Sequence, residues 1–231
     1  MDATSRRAAL RTLPPDCKRI LIVGAGGFGR EVLQWARDAW PEHAGRINGF
    51  LSDDPHRLDG KNCSLPIIAD PRAFTPTDGD YLVLAIGMPG IRRMVTEDIL
   101  ARGGKFLTLI HPTALVAESA SVEDGAVICP YAIVSDSAYV GRFALLNYYS
   151  SLGHDASASD FAVLSPYATL GGAASVAEDV FLGLHAAVAP GRRLGRDCQA
   201  SIGAAVMHDT AEKALVFGVP GIIRPRLSVG Y

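Results

Sequence analysis

Through most of the second half of the chain, apolar positions return every six residues. From Ile110 to Val206 each sixth residue is aliphatic or alanine, in unbroken phase through Val122, Val134, Leu146, Ala158, Leu170, Leu182 and Leu194. A second register, mostly of small residues, lies four positions after each of these: Ala114, Ala120 and Ala126, later Ser150, Ala162, Ala174 and Ala186, with Arg192 and Cys198 also in it. It falls two residues before the next aliphatic, and a spacing of two places both side chains on one face of a strand. Both registers are therefore expected to point inward. Each six-residue unit is then a short strand and a tight corner, and three units close a triangular coil of about eighteen residues in a parallel β-helix. Small residues suit the corners and branched ones fill the flats.

The pattern before the repeat is different. An apolar run, Ile20 to Val23, meets Gly24, Gly26 and Gly29 and passes into helical spacing, the strand–turn–helix context of a G-x-G-x-x-G phosphate loop. A second strand, Ile47 to Leu51, leads to Asp53 and Asp54, where a ribose-binding acid would sit. A third, Tyr81 to Ile86, ends at Gly87; a helix is expected from Ile91 to about Arg102 and a last strand from Phe106 to Ile110. This predicts a small Rossmann-like α/β domain with a parallel sheet over residues 18–110. From the residues alone, the glycine turn either cradles a phosphate or serves packing only. The boundary falls at His111-Pro112, where proline favours an extended predecessor, with His111 expected to bond to backbone. The β-helix then takes residues 111–231, the phase fading after Val206 into a C-terminal cap. Residues 1–17 are arginine-rich and lack the apolar block of a secretory signal, so a flexible extension is expected.

Composition narrows the function classes. The 231 residues are 48% hydrophobic and 20% charged, with a net charge of −2. That suits a soluble globular protein and gives no basic face for nucleic acid or an anionic membrane. No apolar run approaches the ~18 residues of a membrane span. The four cysteines stand apart without a CxxC pair, so neither a disulfide framework nor a zinc ribbon is expected, and a reducing cytoplasm is the default.

Among the histidines, His154 stands out. It follows the inward Leu152 by two positions, hence at a corner and facing out, with Asp155 next to it. An eighteen-residue coil stacks Asp136 beneath it and Gly172 above. An imidazole oriented by a carboxylate is a general base near neutral pH. A bare glycine beside it leaves room for a ligand and an N–H to face developing negative charge. The successive spacings, 31 from His154 to His185 and 23 from His185 to His208, are neither multiples of eighteen nor tight pairs, so no metal is expected. No cysteine falls near His154 in the coil and Ser150 lies in the inward register, which argues against a covalent intermediate. Arg192, Arg193, Arg224 and Arg226 could pair with a cofactor phosphate, although solvation is the simpler reading.

Taken together, several stretches resemble the bacterial sugar acyltransferases that join a Rossmann-like domain to a left-handed hexapeptide β-helix, the sialic acid O-acetyltransferase and nucleotide-aminosugar N-acetyltransferase group. The matching pieces are GAGGFGREV from Gly24 to Val32, AIG from Ala85, IHPTA from Ile110, N-x-x-S-x-x-x-H-D from Asn147 to Asp155, FLG from Phe181 and GVP from Gly218. The resemblance implies left-handed winding, a homotrimer and acetyl transfer from acetyl-CoA to a nucleotide-linked aminosugar. Sugar O-acetylation is the alternative, followed by a non-catalytic or NAD-binding role. It implies His154 as general base, Asp155 as its acidic neighbour and Asn147 as a residue placing the acceptor. Gly172, Leu184, Gly203, Gly218, Val219 and Pro220 would contact the coenzyme. Gly24, Gly26, Gly27, Phe28, Gly29, Asp53, Asp54 and Gly87 would hold the acceptor nucleotide. One departure stands out: relatives that bind nucleotide sugars often carry His where this chain has Phe28.

Overall fold

The structure, a computed structural model, describes residues 12–226. Among these, two compact units form, residues 12–112 with 124–127, and residues 113–123 with 128–226.

The first unit is built on four parallel strands, β1 (Arg19–Val23), β2 (Ile47–Leu51), β3 (Ile67–Ala69) and β4 (Asp80–Leu84), in the order β3-β2-β1-β4. β4 is buried throughout and β1 everywhere but Arg19, as strands packed on both faces must be. Helix α1 (Gly27–Ala39) buries Gly29, Val32, Leu33 and Ala36, a stripe at positions i, i+3, i+4 and i+7. It stops before Trp40-Pro41, because the residue preceding a proline is driven out of the helical region. Helix α2 (Pro89–Ala101) starts two residues ahead of the expected Ile91, since proline in a first turn sacrifices no hydrogen bond. β3 was not anticipated: three residues after Pro66 carry too little pattern. The expected Phe106–Ile110 strand is reduced to a bridge between Leu82 and Phe106 and the two-residue strand Leu109–Ile110.

At the start of the sheet Arg19 grips Asp80 with both arms, at 2.7 and 2.6 Å, while the Thr77 N–H and hydroxyl also donate to that carboxylate. Arg19 above all holds the Asp80 pKa down to about 2. Of the expected flexible extension, residues 1–11 lie outside the described residues. Its last two residues are tied down: Asp16 accepts from the Tyr81 hydroxyl and Lys105, and the carbonyl of buried Cys17 accepts from Arg46. His111 has its Nε2 3.3 Å from the Asp38 carboxylate, an acidic neighbour the sequence reading did not foresee.

The second unit is a left-handed parallel β-helix. Two-residue strands pair with those eighteen positions on, as Tyr139 with Ser157 and Ser151 with Thr169. Face I holds Leu145–Leu146, Val163–Leu164, Phe181–Leu182 and Gln199–Ala200; face II runs from Leu115–Val116 to Ala205–Val206; face III runs from Ser121–Val122 to Arg193–Leu194. The aliphatic register is buried along its whole length, and Ala126, Ala144, Ser150, Ala162 and Ala174 are fully buried in the small one. Arg192 breaks the expectation. Its side chain is exposed and reaches to 3.7 Å from Asp209, because a guanidinium in an apolar corner would lose its hydration. Its carbonyl still accepts the Ser175 N–H, so the backbone keeps phase where the side chain does not.

From Gly125 to Gly203 each corner turns through a residue in the left-handed region, including Tyr149, Asp155, Tyr167, Ala173 and His185, with φ from 56° to 63°. The amide of that residue bonds to the coil below: Asp155 N–H to Asp136 O, Ala173 N–H to His154 O and Tyr167 N–H to Tyr148 O. At the end of the solenoid Ala214–Phe217 pairs parallel with Gln199–Ala200, and Ile222–Pro225 turns back antiparallel. Buried Cys198 ties this closure, its thiol 2.9 Å from the Ala211 carbonyl and 3.3 Å from the Ala214 N–H.

Candidate active site

His154 stands on the corner between faces II and III, 70% exposed at its side chain. Its Nδ1 is 2.8 Å from Asp155 Oδ2, which fixes the ring and leaves Nε2 as the working nitrogen. The ring lies over the next coil, at Gly172: a Cβ there would collide with Nε2 and with the carbons beside it. Glycine at 172 is thus what gives the imidazole its seat. Asp136, one coil below, does not hydrogen-bond to His154. The Ser119 and Ser137 hydroxyls hold its carboxyl below the usual range, so it remains a fixed negative charge under the ring. Of the two acids expected near His154, Asp155 orients it and Asp136 supplies field. Ser150 is fully buried with its hydroxyl bonded to the Asn147 carbonyl, and Cys129 and Cys198 are buried.

A different chemistry occupies the corner between faces I and II. Tyr131, Tyr149, Tyr167 and His185 stack ring on ring at centroid distances of 5.0, 5.0 and 4.7 Å. Asn147 sits on this corner, its side-chain carbonyl accepting the Tyr148 N–H at 2.8 Å. So do Leu184 and Gly203, joined by the Gly203 N–H to Leu184 O bond, and the Gly218–Pro220 turn, where Gly218 O accepts from Ala205. Within one chain the predicted residues therefore divide: His154, Asp155 and Gly172 on one corner, Asn147 and the remaining coenzyme candidates on another.

The first unit carries a cavity of about 780 Å³ at the carboxyl ends of its strands. Gly24 and Gly26 line it after β1, Ser52, Asp53 and Asp54 after β2, Asp70 after β3 and Ile86 after β4. In an open parallel sheet that is the crevice where ligands bind, beside the point at which strand order reverses. Gly24 has φ +111° and its missing Cβ would press on the Ala85 carbonyl; a Cβ at Gly29 would run into the Gly24 carbonyl. Gly29 thus packs helix against turn, and neither it nor Gly27, Phe28 or Gly87 lines the cavity; Phe28 sets its ring edge-on to Trp35. Sequence reasoning missed Arg57, Arg72 and Asp98 on the wall, together with the apolar Ile91, Met94 and Val95 of α2. Topology was the available signal, since every one of them follows the carboxyl end of a parallel strand.

Among the described residues no group of three His, Cys, Asp or Glu side chains is arranged to hold a metal, and no helix is long and apolar enough to cross a membrane.

Comparison with known proteins places these features in context. Residues 19–99 match the PglD N-terminal domain family. UDP-N-acetylbacillosamine N-acetyltransferase of Bacillus subtilis (strain 168) is 32% identical over 119 residues, 48% of this chain and 51% of that protein, so the match spans about half its length. Among solved structures, a mutant of perosamine N-acetyltransferase from Caulobacter crescentus in complex with CoA and GDP-perosamine aligns with a TM-score of 0.77 and 25% identity, over 89% of this chain and 96% of that one. The acetyltransferase domain of PglB from Neisseria gonorrhoeae FA1090 in complex with acetyl coenzyme A aligns with a TM-score of 0.66 and 27% identity, over 89% and 98%.

Proposed function

We propose that the chain belongs with the proteins that join a PglD N-terminal domain to a left-handed hexapeptide β-helix, and that it is an acetyl-CoA-dependent N-acetyltransferase acting on a nucleotide-linked aminosugar. The observation that carries the reading is the seat of His154: Nδ1 held by Asp155, Nε2 left open above a residue without a side chain. The substrates named for the similar proteins agree with it, being CoA or acetyl-CoA and aminosugars on a nucleoside diphosphate.

The transfer proceeds in one step. The acceptor amine attacks the thioester carbon, Nε2 of His154 takes the proton that the nitrogen must lose, and the imidazolium returns it to sulfur as the carbon–sulfur bond breaks, so that coenzyme A leaves as the thiol. Asp155 stabilises the imidazolium that forms, and the fixed charge of Asp136 adds to this. The Gly172 N–H makes no hydrogen bond among the described residues and is the donor for the negative charge that develops on the thioester oxygen. The burial of Ser150, Cys129 and Cys198 supports a transfer without an acetylated side chain.

The working form is a homotrimer. Asn147, Leu184, Gly203 and the Gly218–Pro220 turn lie on one corner and His154 on another, so side-by-side copies, each presenting one corner to its neighbour, complete the site. Such packing would cover the exposed Tyr131, Tyr149, Tyr167, Leu184 and Ile202.

A panel of UDP-, GDP- and dTDP-linked aminosugars with acetyl-CoA tests the reading, following release of thiol. One aminosugar nucleotide should be acetylated at nitrogen, with both substrates bound together. Ping-pong kinetics would overturn the one-step transfer, acetylation of a hydroxyl the nitrogen specificity, and binding of NAD in place of coenzyme A the enzymatic class. A fully active monomer in light scattering would overturn the shared site.

A further inference from the structure

Six charged side chains line the cavity of the first unit: Asp53, Asp54, Arg57, Asp70, Arg72 and Asp98. Four are engaged. Asp70 and Arg72 form a forked pair with Nη2 at 2.8 Å, Asp98 pairs with Arg102, and Asp54 accepts the His56 N–H at 2.9 Å. Among the described residues, that leaves one acid, Asp53, and one cation, Arg57, without a hydrogen-bonded or ion-pair partner.

The loop after β2 is folded so as to aim that cation. The Ser52 hydroxyl accepts the Asp54 N–H, the Asp54 carboxylate accepts the His56 N–H, and the Asp54 carbonyl accepts the Arg57 N–H. These bonds turn the chain back over the end of β1. There Arg57 Nη2 lies 3.8 Å from the point where a Cβ on Gly26 would stand. Gly26 caps α1, which has no side-chain cap and no acid in its first turn, so the positive end of the helix adds to the guanidinium. The wall thus offers three chemistries: apolar side chains from α2, a carboxylate suited to hydroxyls, and a planar cation over the glycine turn. A base, a ribose and a diphosphate carry the matching groups, and about 780 Å³ is within the usual size of small-molecule sites.

We infer that Arg57 is the cation that binds the diphosphate of the acceptor nucleotide, and that it sets the preference for diphosphates over monophosphates. Guanidinium forks match phosphate oxygens in pairs, and the glycines it faces allow the phosphate to come close to backbone. The inference rests on the proposed nucleotide-binding role of this unit and names the residue that reads the phosphates.

Calorimetric titration of the full-length protein and of Arg57→Ala tests it, with UDP, GDP and dTDP, the matching monophosphates, inorganic pyrophosphate and NAD as probes. For whichever diphosphate the unaltered protein binds, Arg57→Ala should weaken binding about 10- to 100-fold. The matching monophosphate should change by less than about threefold, pyrophosphate should compete only with the unaltered protein, and Arg57→Lys should restore part of the loss. The side chain is exposed, so the unfolding temperature should stay in place. Equal diphosphate affinity in Arg57→Ala would overturn the role of Arg57 and leave the nucleotide reading standing. Failure of the unaltered protein to bind any nucleoside diphosphate would overturn both, and tighter binding of NAD than of any of them would overturn the ligand class.

Discussion

Rings stack at one corner of the β-helix and a single imidazole stands at another, on nearly identical backbone. Both corners turn through residues with φ near +60°, and both bond those residues back to the coil below. At the first, the same side-chain type returns every eighteen residues, so Tyr149 meets Tyr131 on one face and Tyr167 on the other. At the second, the column reads Asp136, His154, Gly172, with no two residues alike. The corner between faces III and I is a third variant, where Arg142 pairs with Asp160, and Arg196 stands between Glu178 and Asp179. A solenoid is stabilised by interactions between neighbouring repeats. A column of like rings adds to that stability; a column of unlike residues gives some of it up and can hold one group in an unshared environment. The imidazole stands where the repetition stops.

Breaking the unlike column should have the largest effect. His154→Ala should lower kcat by about 10²- to 10⁴-fold, the usual worth of a general base, with Kd for acetyl-CoA and the unfolding midpoint unchanged. Activity within a few-fold of the unaltered protein would remove His154 from the mechanism. Gly172→Ala leaves every functional group in place but puts a methyl where the ring lies. Displacing a catalytic group by about 1 Å can cost ~10²-fold, so kcat should fall on that order while circular dichroism remains normal. Unimpaired turnover would show that this seat of the ring is not the working one.

The like column should respond in stability instead. Tyr149→Ala removes two stacked contacts, each worth about 0.5–1.5 kcal/mol, and denaturant unfolding should show a loss of about 1–3 kcal/mol. No change in midpoint would mean that the ladder contributes nothing beyond its regular geometry. The smallest effect belongs to the backbone both corners share. Ala173 is held at φ 56° next to the imidazole seat. Ala173→Gly should raise stability by about 0.5–1 kcal/mol, the relief of left-handed strain less the entropy glycine loses on folding. A drop in stability would show that the methyl packs more than it strains.

The same contrast separates what could be read in the sequence from what could not. Six-residue phase identified the faces, the buried registers and the outward position of His154, because a period converts directly into geometry. Arg192 shows the limit: phase predicted an inward side chain, and the cost of burying a charge overruled it while the backbone carried on. In the first unit, Gly24 and Gly26 line the cavity as the glycine motif suggested, whereas Gly29 proved to be a packing residue. Arg57, Arg72 and Asp98 were missed because each reaches the cavity from a separate segment and no period links them, so that only strand topology pointed to them. β3 was hidden by its length.

The antiparallel strand Ile222–Pro225 has a meaning of its own for a molecule built by stacking. Every coil offers the next one a parallel template, and nothing in the six-residue grammar says when to stop. An uncovered last coil would invite the first coil of another chain, and filaments would follow. By reversing direction, the strand presents an edge of the wrong polarity for another coil, with Arg224 and Pro225 on it to discourage pairing. It acts as a terminator, setting the length of an otherwise open-ended polymer.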